Sequence, residues 1–283
     1  MVKGIGGLYI ISELHTNEFY RCKRMINQQG QLEVKAVIEG MNPGRVFVDN
    51  VTSPTSGLVW LGNNDGFIFI GDEENNSLNN QINELIDTVI KPDAKKVGLN
   101  WFEGIGNHPK WNKVIEKMFE HRKLASWNQK VFTLQNESYK TENEPAIEHE
   151  YDVIKISKHL YENNTIKNIE FLHSKISEFW SSPDDFFNKG IGYCIVHNNL
   201  IVSACFSGFV MENVHCVDIE TLESYRGKKL AQKAAHHFVK DCLENDQVPY
   251  WDCMEDNKPS IAIAENIGFT NVFNYKGYYF QLN

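Results

Sequence analysis

The seven residues Tyr225-Arg226-Gly227-Lys228-Lys229-Leu230-Ala231 connect a predicted strand to a predicted helix. The strand covers His215 to Thr221, and the helix covers Lys228 to Leu243, where apolar residues recur at helical spacing. A helix N-terminus attracts anions, because its first N–H groups have no partner within the helix and its dipole is positive there. Gly227 also lets a ligand approach the backbone closely. This segment is therefore predicted to bind an anion.

The basic side chains of this segment favour a phosphate ligand. Arg226, Lys228 and Lys229 crowd the start of a helix, where each cation is unfavourable by about 0.3–1 kcal/mol. A bound pyrophosphate would offset their repulsion, whereas simple solvation, the alternative interpretation, leaves the placement unexplained. The predicted anion-binding residues are Arg226, Gly227, Lys228, Lys229, Leu230 and Ala231.

A second segment, Asn257-x-x-Ser260-x-x-Ile263-Ala264-x-x-x-Gly268-Phe269, follows one helix and one strand later. Together the two segments resemble the motifs of the GCN5-related N-acetyltransferase (GNAT) superfamily, Arg/Gln-x-x-Gly-x-Gly/Ala and Asn-x-x-Ala-x-x-Leu-Tyr-x-x-x-Gly-Phe. Arg226 and Ala231 match the first motif, and Lys229 stands where the family usually has its middle glycine. The resemblance covers about Glu150 to Asn283.

The resemblance implies the α+β acyl-CoA N-acyltransferase fold with a mixed sheet, and acetyl-CoA as cosubstrate with no metal. In this family the strand before the phosphate loop contacts the pantetheine arm and polarises the thioester carbonyl through its backbone. By position, this role falls to Ile219, Glu220 and Thr221. Asn257 and Ser260 would also contact the pantetheine, although capping of the following helix explains one of them equally well.

Acetyl transfer to an amine needs a group that accepts the amine's proton. Side chains alternate along the strand before the loop, so Asp218 and Glu220 share one face. We predict Glu220 as the general base, with Asp218 and His215 as weaker candidates; a solvated or ion-paired face is the alternative. The family often supplies a tyrosine as general acid, and here Ala264 stands in its place. No histidine-based arrangement activates a cysteine, which favours direct attack by the amine.

The chain is predicted to form two domains. An N-terminal α/β domain covers residues 1–145, and the acetyltransferase domain covers residues 146–283. The polar stretch from Glu137 to Pro145 is interpreted as the linker between them.

The first half has an element order similar to that of the second, which suggests a related but degenerate topology. Strands are predicted near Val97 to Phe102 and near Lys130 to Leu134. No phosphate motif follows Gly71-Asp72, so this half is not expected to bind CoA and would have a structural or substrate-binding role. Five of its residues could line a pocket, although core burial is the favoured interpretation of the tryptophans. They are Trp60, Trp101, Glu103, His108 and Trp111.

The combination of both halves resembles, more narrowly, the bacterial acetyltransferases grouped with the zwittermicin A resistance protein. The segments that carry this resemblance are Gly44 to Asp49, Trp60-Leu61-Gly62 and Phe69 to Asp72. This subgroup implies a small-molecule, antibiotic-like amine as the acceptor.

The net charge of -9 argues against nucleic acid and anionic membranes as partners, and it is compatible with a cationic acceptor. No apolar run approaches the ~18 residues that span a bilayer, so a cytoplasmic location is expected. The six cysteines are scattered without a Cys-x-x-Cys motif, which predicts buried thiols rather than disulfides or zinc ligands.

Two other functions stay open from the sequence. A non-catalytic acyl-CoA-binding sensor or scaffold would be consistent with the departures at Lys229 and Ala264. A transferase that joins an aminoacyl or long acyl group to a peptide would be consistent with two related domains.

Overall fold

The computed structural model describes Ile11–Leu282, and the chain groups into two compact units. The first unit comprises Met1–Asn128 and Tyr275–Asn283, and the second comprises Gln129–Asn274. The division therefore comes earlier than the predicted boundary between residues 145 and 146, and the C-terminal residues group with the N-terminal ones.

The first unit has a mixed sheet in which β2, β3 and β4 form an antiparallel meander and β1 pairs with β2. β5 runs parallel to β4, because a long helical segment returns the chain across the sheet. The strands are β1 (Ser12–Glu13), β2 (Gly44–Val48), β3 (Ser56–Leu61), β4 (Phe67–Gly71) and β5 (Trp101–Gly106). The α-helices are α1 (Leu32–Ile38), α2 (Asn76–Leu85), α3 (Lys91–Lys96) and α4 (Trp111–Met118). A 3-10 segment covers Thr16–Met25, and a π-helical turn covers Ile86–Ile90.

The second unit repeats this connectivity. Its strands β8, β9 and β10 form an antiparallel meander, β7 pairs with β8, and β11 runs parallel to β10. The strands are β7 (Tyr151–Lys155), β8 (Gly192–His197), β9 (Leu200–Met211), β10 (Val214–Thr221) and β11 (Val248–Met254). The helices are α5 (Lys158–Tyr161), α6 (Ile169–Phe179), α7 (Pro183–Lys189), α8 (Leu230–Glu244) and α9 (Lys258–Ile267).

Each unit's sheet is completed by a strand from the other half of the sequence. Residues Gln129–Thr133 of β6 (Ala125–Thr133) pair antiparallel with β11 in the second unit. Residues Gly277–Gln281 of β12 (Thr270–Gln281) pair antiparallel with β5 in the first unit. The ladder hydrogen bonds, and not the order of the sequence, therefore determine where the units divide.

The stretch from Glu137 to Pro145 does not behave as a free linker. The Lys140 N–H donates to the Ile267 carbonyl at 2.9 Å, and the Asn143 side chain donates to the Asn266 carbonyl at 2.7 Å. These bonds fasten the stretch to the end of α9 within the second unit. Its polar side chains make hydrogen bonds to the end of α9. Composition alone does not distinguish such a stretch from a solvated linker.

All six cysteines lie in the described part of the chain, where they are buried, as predicted. Between Ile11 and Leu282, no helix combines the length and the apolar character that crossing a membrane would require.

Candidate functional site

Strands β10 and β11 separate from each other part of the way along the sheet. Their parallel pairing covers only Val214–Cys216 of β10, opposite Val248–Tyr250 of β11. The remaining residues of β10, as far as Thr221, keep their antiparallel pairing with β9. The edge of β10 that points away from β9 is therefore open from Val217 onward.

The hydrogen bonds on the β9 side identify the backbone groups that point to the open edge. Leu222 N–H donates to the Val202 carbonyl at 2.9 Å, and the Glu220 carbonyl accepts from Ser203 Oγ at 3.1 Å. Backbone groups alternate sides at every residue of a strand. The backbone of Ile219 and the N–H of Thr221 consequently point to the open edge, where a ligand can pair with them as a strand would. The backbone of Glu220, also predicted to contact the ligand, faces β9 instead.

The loop after β10 presents an uncapped helix start. Gly227 has a φ of 80°, and a Cβ atom placed on it would have no neighbour within 4 Å. Lys229 is the N-cap of α8 with a φ of 60°, and no side chain caps this helix. The first N–H groups of α8, including those of Leu230 and Ala231, are therefore available to an external acceptor. Such a site suits a phosphate group.

The left-handed backbone of Lys229 explains why the family usually has glycine at this position. Side chains disfavour that conformation by roughly 1–2 kcal/mol, whereas glycine adopts it freely. The helix α8 begins only at Leu230. Arg226, Lys228 and Lys229 therefore precede α8 and, contrary to the prediction, do not lie in its first turn.

The three basic side chains have different surroundings. Arg226 Nε donates to the Thr221 carbonyl at 3.2 Å. Lys228 Nζ donates to the Tyr151 hydroxyl at 2.8 Å and lies over the Tyr151 and Tyr225 rings. The Lys229 ammonium is exposed and has no partner within Ile11–Leu282. Of the three, Lys229 is the side chain most available to an anion.

The corresponding turn of the first unit lacks these properties. It joins β4 to α2 and carries the carboxylates of Asp72, Glu73 and Glu74. The side chain of Asn75 caps α2 by accepting from the Leu78 N–H at 3.1 Å. An acidic, capped turn disfavours phosphate. Of the two turns, the one before α8 is therefore the one suited to an anion.

The side chains of β10 divide between the two faces of the sheet. Val217 and Ile219 belong to the apolar cluster that includes α8. Asp218 lies on the other face, toward α6, since a Cβ placed on Gly208 would lie 3.4 Å from the Phe179 ring and 3.5 Å from Asp218 Cβ. Glu220 shares this face with Asp218, as the alternation predicts.

Lys175 of α6 links the acidic side chains of this face. Its ammonium lies 2.8 Å from Glu220 Oε2 and 3.3 Å from Glu178 Oε1. Burial opposes the charge, but the hydrogen bond to Glu220 and the charges of Glu178, Glu220 and Asp218 together raise the pKa of Lys175. Glu220 is thus held in an ion pair with Lys175.

The carboxylate of Asp218 is more enclosed than that of Glu220. Its Oδ2 is inaccessible to solvent and accepts no hydrogen bond from the described residues. Burial raises the pKa of Asp218 to about 7; Lys175 partly opposes the rise, and the charges of Glu178, Glu220 and Asp252 add to it. A carboxylate with a pKa near the working pH can both accept and release a proton. The two carboxylates of this face therefore differ, since Glu220 is ion-paired and Asp218 Oδ2 accepts no hydrogen bond from the described residues. Glu220 as the general base stays a prediction.

His215 lies enclosed in the sheet, away from the open edge of β10. Its ring is buried, and its Nδ1 lies 2.9 Å from Ser207 Oγ. Burial lowers the pKa of His215 to about 4, so the ring is neutral near pH 7. The sequence pattern could not show that the N-terminal end of β10 is enclosed.

The second motif supplies structure around α9. Asn257 is the N-cap of α9 and accepts from the Ser260 N–H at 3.2 Å, while Ser260 Oγ accepts from Trp251 Nε1 at 3.0 Å. Both side chains thus have internal roles, and the capping interpretation covers Asn257. Ala264 is fully buried against the core.

Sequence reasoning did not connect Lys175, Glu178 or Asp252 with Asp218, although their charges act on its pKa. Lys175 and Glu178 lie three residues apart on an amphipathic helix, a spacing typical of any solvated ion pair. Only the packing of α6 against the sheet distinguishes them from such a pair.

Comparisons with known proteins show the family to which the chain belongs. A family model described as GNAT acetyltransferase matches residues 23–278. The uncharacterized N-acetyltransferase YdfB of Bacillus subtilis strain 168 is 29% identical over 272 residues, covering 95% of this chain and 98% of that protein. The resemblance to the zwittermicin A resistance acetyltransferases stays a prediction.

Solved structures share the fold. A GCN5-related N-acetyltransferase-like protein from Streptococcus suis 89/1591 aligns with a TM-score of 0.71 at 21% identity, covering 93% of this chain and 98% of that one. A tandem GNAT protein from the clavulanic acid biosynthesis pathway aligns with a TM-score of 0.58 at 10% identity, covering 96% and 98%. The predicted α+β, GNAT-like fold is confirmed. The family match over most of the chain shows that this protein belongs to the GNAT acetyltransferases and is an N-acetyltransferase of that type.

Proposed function

We propose that this chain acetylates the amine of a small cationic acceptor, with Asp218 as the general base. The observation that carries the proposal is the placement of Asp218. Its carboxylate has an unpartnered oxygen and a pKa near 7, and it lies on the strand whose edge is open beside β11.

Acetyl-CoA, the acetyl donor of GNAT enzymes generally, fits the residues of the second unit. The open backbone of Ile219 and Thr221 offers hydrogen bonds to an amide-containing arm. The uncapped start of α8, with Gly227 and Lys229, offers N–H groups and positive charge to a pyrophosphate. When bound, this cosubstrate supplies an activated acetyl thioester.

The acceptor's nitrogen must lose a proton before or while it forms the amide bond. Asp218 would accept one proton from the acceptor's ammonium, directly or through one water, which leaves a neutral amine. The amine then forms the C–N bond as the thioester C–S bond breaks, and the second proton of the nitrogen passes to the departing thiolate, which leaves as the thiol of CoA. Cys205 and Cys253 are unsuited to an acetyl-enzyme route, since burial raises the pKa of each thiol above the ordinary value. Direct attack by the amine remains the proposed path.

The charge around Asp218 supports a cationic acceptor. Three acidic side chains act on the charge of Asp218, and Lys175 is the one cation among these interactions. The acidic side chains are Glu178, Glu220 and Asp252. A carboxylate-rich face attracts ammonium groups and stabilises a second positive charge on the acceptor.

A matched pair of amines tests this proposal. We expect 1,4-diaminobutane to be acetylated with a kcat/KM about tenfold or more above that of 1-aminobutane, because the second ammonium gains a charged partner. Product mass and release of CoA measure both reactions. Glu178→Gln should reduce the preference, and Glu162→Gln, an exposed change on α5's C-terminal side, should not. Equal rates for the two amines would reject the cationic acceptor, and acetyl-CoA binding without transfer to any amine would favour a sensor.

The cofactor part of the proposal makes a separate prediction about Lys229. Calorimetric titration should give one acetyl-CoA site per chain, and Lys229→Gln should weaken binding about fivefold, because a charge beside the pyrophosphate is lost. Lys229→Gly should instead stabilise the free protein by about 0.5–1 kcal/mol, since glycine relieves the left-handed backbone. Lys110→Gln is the matched control, because Lys110 is the exposed N-cap of α4 in the first unit. Two equivalent sites per chain, or equal losses from both glutamine variants, would contradict the assignment.

A further inference from the structure

The residues singled out in the first half of the sequence separate into two groups. Trp60 and Trp111 are buried in the core of the first unit, and His108 Nε2 lies 3.0 Å from the Gly71 carbonyl. Trp101 and Glu103 lie on the opposite face of β5 from Phe102, which packs into that core. These two side chains have no role in the core or in the proposed acetyl transfer.

Trp101 belongs to a row of three aromatic side chains on this face. Its ring is 45% exposed and meets the Tyr279 ring edge-on, with 5.8 Å between centroids. The Trp127 ring also contacts Tyr279, with 6.1 Å between the two ring centroids. The planes are inclined by 65° and 46°, so the rings form facets around Tyr279 rather than a flat stack.

Gly277 makes room for this row. A Cβ placed on Gly277 would lie 2.2 Å from the Trp127 ring, a distance that no side chain could tolerate. Trp127 therefore lies directly on the backbone of β12, beside Tyr279. The row depends on a glycine at this strand position, which fixes the orientation of the indole.

Glu103 places a negative charge within the row. Its Cα is directly opposite that of Tyr279 in the β5–β12 pair, and Trp101 is its neighbour along the same face. No residue between Ile11 and Leu282 donates a hydrogen bond to its carboxylate or pairs with it. The Glu103 residue is partly exposed to solvent, but neighbouring groups partly desolvate its carboxylate. This desolvation raises the pKa of Glu103.

We propose that Trp101, Glu103, Trp127 and Tyr279 form a binding site in the first unit for an alkylated organic ammonium ion. Aromatic faces attract such cations through their quadrupoles, and the carboxylate supplies the opposite charge. The ligand needs no hydrogen bond to the rings, which suits a quaternary nitrogen. A neutral apolar ligand would leave the charge of Glu103 desolvated and uncompensated, and an anion would be repelled.

Two probes of equal shape test the charge requirement. We expect choline to bind the intact protein, detected by saturation-transfer NMR and titration, at least about fivefold more tightly than 3,3-dimethylbutan-1-ol. The two molecules differ in the charged nitrogen that replaces a carbon. Equal binding of both, or binding of neither at millimolar concentration, would overturn the proposal without any mutation.

Two variants then locate the site. Glu103→Gln and Trp101→Leu should each weaken choline binding about fivefold or more, while acetyl-CoA binding, which uses the second unit, stays unchanged. Tyr20→Leu is the matched control, because Tyr20 is an exposed aromatic residue of the same unit, 59% accessible, outside the row. A loss of choline binding in the Tyr20 variant equal to that in the Trp101 variant would place the ligand elsewhere.

Discussion

Replacing Asp218 with asparagine should lower kcat for acetyl transfer by about 10²–10⁴-fold while leaving acetyl-CoA affinity nearly unchanged. Asparagine has almost the same volume but cannot accept the amine's proton, and the backbone of β10 would still meet the cosubstrate. Steady-state rates and calorimetric titration measure the two quantities separately.

The pH dependence provides the diagnostic part of this prediction. Because burial raises the pKa of Asp218 to about 7, kcat/KM of the wild type should rise with pH through about 7 as the carboxylate deprotonates. Asp218→Asn should remove that limb of the profile. Glu220→Gln is the matched control from the same face, and we expect a smaller effect because Lys175 already holds Glu220. If Glu220→Gln removes the limb and Asp218→Asn does not, the base is Glu220, as the sequence suggested.

The same shift has a consequence for stability that distinguishes a lost base from a damaged fold. A carboxyl group whose pKa is higher in the folded state holds its proton more tightly there than in the unfolded chain. Its contribution to stability is full below about pH 4, the ordinary Asp value being 3.8, and is lost as pH rises to about 7. Asp218→Asn should therefore melt at a higher temperature than the wild type at pH 8, and at a similar temperature at pH 4.

Replacing Gly268 with alanine should destabilise the protein by about 3 kcal/mol. Gly268 ends α9 with a φ of 113°, and a Cβ at this position would lie 2.0 Å from the Ser138 carbonyl oxygen. The new methyl group would both strain the backbone and push away the segment after β6. Chemical denaturation at constant pH measures the free energy of unfolding.

Gly98 is the control for the backbone part of that loss. It has a φ of 80°, but a Cβ placed on it would meet nothing within 4 Å. Gly98→Ala should therefore cost only about 1 kcal/mol, the strain of a left-handed alanine. Equal losses at the two glycines would mean that the contact with Ser138 is relieved at no cost.

The sequence predicts the strand and the helix on the two sides of the proposed cofactor loop. The pattern lies within one short segment. It consists of a strand, a loop with glycine and basic residues, and an amphipathic helix. The structure gives the strand as Val214–Thr221 and the helix as Leu230–Glu244, each within two residues of the predicted start. The left-handed Lys229 was not predicted, because a lysine carries no sign of that conformation.

The surroundings of the two carboxylates and the division into units could not be predicted in the same way. The order of Asp218 and Glu220 depends on Lys175, which approaches from a helix about forty residues earlier and selects one carboxylate as its partner. β5 was predicted near Val97 to Phe102 but covers Trp101–Gly106, since Gly104 and Gly106 look like loop residues. The alternation of apolar and polar residues along β6 does not indicate whether β6 pairs with β5 or with β11.

The exchange of final strands sets an order for folding during synthesis. The ribosome makes every residue of the second unit before it makes Gly277–Gln281, the strand that pairs with β5. Until then Phe102 lacks the Phe280 ring that stacks on it at 4.9 Å, and the edge of β5 is unpaired. The first unit is thus the last to be completed, and until then the edge of β5 stays open to pairing with another strand.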